Sequence, residues 1–178
     1  IIEAVHGLKL KLGERELSFY DAPGHCRHHI LIHDGRSGHV FAGDTMGLSY
    51  RQLDGAGGQQ FIFPSTSPSQ FDPQAFHHTL DQIERLRPGA AYLTHYAQVT
   101  DVSRLLGDMR RLIDAFVDVA RSCQSKQSRH QQIKTALSQL FVQEAAAQGW
   151  ALQGQAVLDF LEMDIELNAQ GLGVWLDA

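Results

Sequence analysis

Two different hydrophobic periods divide this 178-residue chain near position 100. That division restricts it to an α/β architecture with its helices gathered towards one end. Leu8, Leu10 and Leu12 alternate with Lys9 and Lys11, the period of two expected of a half-buried strand. Gly13-Glu14 supplies a turn, and Leu17 to Asp21 reads as the returning arm of a hairpin. Ile30-Leu31-Ile32 and His39-Val40-Phe41-Ala42 read as two more short strands around an Asp34-Gly35 turn. Asp72-Pro73 is a helix start, a capping carboxylate before a proline at the first helical position. Phe76, Leu80, Ile83 and Leu86 give that helix one apolar face, and Pro88-Gly89 ends it. Ala91-Tyr92-Leu93-Thr94 reads as a strand ending at His95.

From Asp101, a capping candidate, the period becomes helical. Leu105, Met109, Leu112, Phe116 and Val119 mark one helix, and Ile133, Leu137, Leu140 and Phe141 a second. Leu158, Leu161, Ile165, Leu172 and Leu176 mark a third, weakened at its end by Gly171 and Gly173. The expectation is a mixed or antiparallel sheet over residues 1–100 with one flanking helix, then a helical extension over 101–178. Thr45 to Gln70 reads as a long polar loop holding Gly55, Gly57, Gly58, Pro64 and Pro68, a functional loop, lid or disordered segment.

Composition narrows the function. Net charge is −5, so the chain lacks the basic footprint of a nucleic-acid binder. No apolar run approaches the ~20 residues that cross a bilayer, and no secretory leader opens the sequence. Two cysteines almost a hundred positions apart make no disulfide framework. A reducing, cytoplasmic setting is expected. The chain opens on Ile1, which suggests a piece of a longer protein.

Five of the ten histidines fall within fifteen positions, between His25 and His39. His25 follows a Pro-Gly break after a strand, Asp44 follows a strand and a glycine, and His95 closes a strand. Strand ends are where a rigid scaffold presents reactive side chains. Two imidazoles and a carboxylate suit a borderline divalent cation such as Zn²⁺, Fe or Mn. His29 reads as a support for the loop, and Thr45 as a turn residue. Tyr50, Arg51, Phe63 and Thr66 read as loop residues open to substrate or to plain loop packing. Cys26 is expected to be a small loop residue, and His28, His33 and His39 surface or strand residues. His77-His78, Lys126 and Arg129 are expected to face solvent.

Ala22-Pro23-Gly24-His25-Cys26-Arg27-His28-His29 resembles the Pro-Gly-His-x-x-x-His segment of metallo-β-lactamase-fold hydrolases. Phe41-Ala42-Gly43-Asp44-Thr45 is similar to their Gly-Asp-Thr/Ser segment, and Tyr92-Leu93-Thr94-His95-Tyr96 to the segment carrying their last histidine. The order of the three matches. The tail Asp164-Ile165-Glu166-Leu167-Asn168-Ala169-Gln170-Gly171-Leu172 resembles the close of the glyoxalase-II-like members with C-terminal helices. The resemblance implies the C-terminal half of an αββα sandwich plus a helical module. It implies two divalent ions, Zn first, with His25 and His95 on opposite ions and Asp44 bridging them as the catalytic carboxylate. It further implies attack by a metal-held hydroxide on a small ester, thioester or lactone.

The superfamily's upstream His-x-His-x-Asp-His motif appears nowhere in the sequence. Only 24 residues precede His25, with His6 the sole histidine among them. The chain alone is therefore expected to bind metal weakly or not at all, and to be inactive. It is expected to need a companion, the N-terminal half or a second copy, for its open sheet face. The competing expectation is a catalytically inactive, truncated assembly or binding domain.

Overall fold

The computed structural model describes residues 1–66, 69–95, 98–123 and 125–178. Six strands form one sheet in sequence order: β1 (Lys9–Leu12), β2 (Arg15–Asp21), β3 (Ile30–Asp34), β4 (His39–Gly43), β5 (Ala91–Leu93) and β6 (Gln98–Val99). Neighbours are antiparallel except β4 and β5, which run parallel. A parallel pair needs a crossover, and α1 (Pro73–Leu86) supplies it. The Asp72 side chain accepts the Ala75 N–H at 3.0 Å, with Pro73 in the first turn. The helix closes at Arg87, which takes the left-handed conformation (φ 47°) one residue before Pro88.

Register assigns the two faces of the sheet. Leu31, Val40, Ala42 and Ala91 point into a core shared with Phe76, Leu80 and Ile83 of α1. The opposite face carries a row across four strands, Phe19–Ile32–Phe41–Tyr92, each paired with the next. Phe41 is 47% exposed, its ring stacked on Tyr92 at 5.1 Å. No described element covers this row.

The tail is helical: α2 (Val102–Ser122), α3 (Arg129–Gln148), α4 (Gln155–Phe160) and α5 (Glu162–Asp177). Its apolar faces join the same buried cluster as the sheet, so the core runs without a break across position 100. Several sequence expectations need correction. The third helical stretch is two helices, broken at Leu161. The Asp101 carboxylate does not cap α2; it binds Arg104 Nε at 2.7 Å. Strand β6 was not anticipated, because two residues leave no measurable period. The described part of 45–70 is no open polar loop. Leu48, Leu53 and Phe61–Phe63 are buried in the core, threaded between short 3₁₀ turns. Pro68 lies outside the described residues.

Candidate metal centre

Strands β2, β4 and β5 point the same way, since each antiparallel step reverses direction and the β4–β5 step does not. Their C-terminal ends therefore share one edge of the sheet. His25 lies just beyond β2, Asp44 beyond β4 and His95 beyond β5. The structure brings all three together. His25 Nε2 is 3.9 Å from Asp44 Oδ2, and His95 Nε2 is 3.4 Å from Asp44 Oδ1. Each imidazole faces a different oxygen of the one carboxylate.

A bulge in the β4–β5 register between Phe41 and Gly43 turns Asp44 into this position. Gly43 has φ 55°, and a Cβ there would overlap the His29 ring at Cε1. Glycine alone permits both the backbone turn and the contact. Thr45 Oγ1 donates to the Ala42 carbonyl at 2.5 Å and fixes the turn from inside. Gly24 (φ 134°) lets the His25 loop lie against α1, where a Cβ would collide with the Phe76 backbone.

Ring nitrogens separate the histidines by role. His25 Nδ1 lies 2.8 Å from the Ser65 carbonyl. A carbonyl only accepts, so Nδ1 carries a proton, and in the neutral ring Nε2 is the bare nitrogen facing Asp44. In His29, Nδ1–H donates to the Ile30 carbonyl at 3.0 Å, and Nε2 accepts the Asp44 N–H at 3.1 Å. Both of its nitrogens are occupied, so it holds the Asp44 backbone rather than offering a lone pair. The Asp44 carboxyl is held below the usual carboxylate range, with His29 contributing most, burial opposing, and His25 adding to the effect. The His29 Nε2 lies 3.9 Å from Asp44 Oδ2. Asp44 Oδ1 is buried and has no hydrogen-bond partner among the described residues.

The loop residues suggested for substrate are engaged by other residues of the chain. Tyr50 Oη donates to Asp164 Oδ1 at 3.2 Å, and burial first, with the Asp164 charge, pushes its pKa up to about 12. Arg51 pairs with Asp54 at 3.1 Å and with Ser49. Phe63 is core, edge-on to Phe141, and Thr66 is 2% exposed and bound to Asn168. Cys26 is buried beside His28, its thiol pKa pushed up chiefly by burial. His77 is not simply solvated but binds Asp114 at 2.9 Å, and Arg129 is sequestered against Asp177. Tyr96 lies outside the described residues.

The donors present suit a divalent ion: two imidazole nitrogens and a carboxylate with a stranded oxygen. Among the described residues, however, no group of three or more His, Cys, Asp or Glu side chains is arranged to hold a metal ion. Each histidine approaches its own oxygen of Asp44, at 3.9 Å for His25 and 3.4 Å for His95.

No protein-family model and no curated protein matches this sequence. Solved structures do. An archaeal metallo-β-lactamase superfamily protein from Sulfolobus tokodaii superposes with a TM-score of 0.56 at 19% identity, over 96% of this chain and 51% of its own. A metallo-β-lactamase family protein from Thermus thermophilus gives 0.48 at 18% identity, over 95% and 46%. A metallo-β-lactamase from Pontibacter korlensis gives 0.45 at 13% identity, over 61% and 46%. The first likeness carries the assignment: this chain has the metallo-β-lactamase fold. It spans about half the length of the structures it matches.

Proposed function

We propose that this chain carries one side of a two-metal site in a metal-dependent hydrolase acting on an ester, thioester or lactone. One arrangement supports the reading above all. The two oxygens of Asp44 face two separate imidazoles, and one of those oxygens is buried without a hydrogen-bond partner among the described residues. A buried carboxylate oxygen without a partner is costly unless something cationic meets it. His25 and His95 would each hold a different ion and Asp44 both, with Zn²⁺ the best match to these donors and Fe or Mn next. Such ions, when bound, would lower the pKa of a bound water towards about 7 and polarise the carbonyl under attack. The chain's own part is to keep Asp44 anionic, hold His25 Nε2 unprotonated through Ser65, and anchor the Asp44 backbone through His29.

The remaining ligands would come from a companion, the N-terminal half of the same protein, seated on the Phe19–Ile32–Phe41–Tyr92 face. Half-length coverage and the apolar row favour it. A second copy of this chain is the other candidate occupant.

Calorimetric titration with Zn²⁺ tests the reading. The chain alone should bind weakly or not at all, and the longer protein should bind two ions and hydrolyse a thioester or lactone. Asp44→Asn in the longer protein should lose both. Tight two-site binding by this chain alone would overturn the divided site. A second reading, an inactive assembly domain, draws on the absence of a complete ligand group among the described residues. It predicts a longer protein with neither metal nor activity.

A further inference from the structure

We infer that Asn168, on the last helix, is a positioning residue that sets the tautomer and aim of His25. The inference rests on the proposed metal role of His25 and extends it to a residue far away in sequence. The connection is a short chain of hydrogen bonds. Asn168 Oδ1 accepts the Thr66 N–H at 2.7 Å and the Thr66 hydroxyl, within reach at 2.9 Å. The Asn168 backbone carbonyl lies 3.1 Å from the same hydroxyl. Asn168 Nδ2–H donates to the Asp164 carbonyl at 2.9 Å, which fixes the amide's orientation. Asn168 and Thr66 are each 2% exposed. The next residue back, Ser65, offers the carbonyl that takes the His25 Nδ1 proton at 2.8 Å.

The loop has little else to hold it at that point. No other hydrogen bond reaches Ser65 or Thr66 among the described residues. An asparagine buried in a helix costs stability unless its amide is satisfied. Here the amide oxygen is satisfied by the Thr66 N–H it holds, and the amide nitrogen by the Asp164 carbonyl one turn back in its own helix. The consequence falls on His25. With the Ser65 carbonyl fixed, Nδ1 keeps its proton and Nε2 stays the free donor atom facing Asp44. A carbonyl in this place is the kind of outer partner that orients a ligating imidazole, and losing such partners typically weakens a site about 10–100-fold. The helical tail is thereby part of the site.

The test uses the full 178-residue chain labelled with ¹⁵N-histidine and no metal. Long-range proton–nitrogen spectra at alkaline pH report which ring nitrogen of His25 is protonated. The wild type should show the Nδ1–H form. Asn168→Ala, and independently Asn168→Leu, removes the acceptor of the Thr66 N–H and should shift His25 to a mixture dominated by Nε2–H, while Thr66→Ser should retain the wild-type pattern. Ile165→Ala, which removes buried apolar volume from the same helix, should destabilise the chain yet leave the tautomer unchanged. If Asn168→Ala fails to fold, Asn168→Leu carries the test. An unchanged His25 tautomer in a folded Asn168→Ala or Asn168→Leu chain overturns the inference, as does an equal shift in Ile165→Ala. The expected tautomer shift in a protein that never binds Zn²⁺ upholds the positioning role and overturns only the metal reading.

Discussion

A single added carbon at Gly43 would strike His29, and the residue scale is where the site is least forgiving. The φ of 55° already excludes most side chains, and a Cβ would overlap the ring that holds the Asp44 N–H. Gly43→Ala should cost about 1–3 kcal/mol, read as a lower urea midpoint with an unchanged slope. It should also disturb the Asp44 turn more than its volume implies. The sequence marks Gly43, Asp44 and Thr45 as a unit, because a glycine and an aspartate at the end of an apolar strand form a readable stop. It does not show that His29 fills the space a Cβ would take. It reads His25 as a ligand and His29 as a support for the loop without showing the contacts that separate them. Both are histidines on one loop, and only their neighbours, a carbonyl with a free nitrogen opposite or a carbonyl with an N–H opposite, divide anchor from ligand.

At the scale of elements, the helices of the tail are joined by ion pairs that periodicity does not reveal. Arg111 of α2 grips Glu144 of α3 with two hydrogen bonds, at 2.6 and 2.8 Å. Burial alone would raise the Glu144 pKa. The Arg111 fork, with Gln148 assisting, overcomes it and holds the carboxyl below 4.5. A depressed carboxyl pKa contributes stability above the unfolded value and loses it as pH falls through the folded one. Acid should therefore weaken the α2–α3 contact progressively below pH 4.5. Glu144→Gln should cost about 1 kcal/mol at neutral pH, a modest figure because Arg111 is half-exposed, and should flatten that acid limb. Denaturant midpoints measured across pH check both. The helices themselves were legible, since stripes such as Leu105, Met109, Leu112 and Phe116 repeat at about 3.6 residues. The break at Leu161 was not, because apolar spacing continues through it.

At the scale of the molecule, one face of the sheet is buried by α1 and the tail, and the other is open along Phe19, Ile32, Phe41 and Tyr92. An apolar row of this length on a free surface favours association. The wild-type chain should sediment as a dimer or larger species when its companion is absent. Phe41→Glu should shift it to monomer with little loss of stability, since Phe41 is 47% exposed. A wild-type chain that stays monomeric at high concentration in analytical ultracentrifugation would count against the open face as a binding surface.

By itself, the sequence determined the order of the first five strands and of the helical stretches, the α/β class, and the identity of His25, Asp44 and His95 as the residues worth watching. Those are local matters, settled by period, by turn chemistry and by residue type at a strand end. Tertiary structure alone decided that the three meet and that the two imidazoles take opposite oxygens of Asp44. It also decided that a buried amide 143 residues beyond His25 holds its partner loop. Contacts between distant segments depend on how whole elements pack, and packing leaves no periodic trace in the chain that builds it.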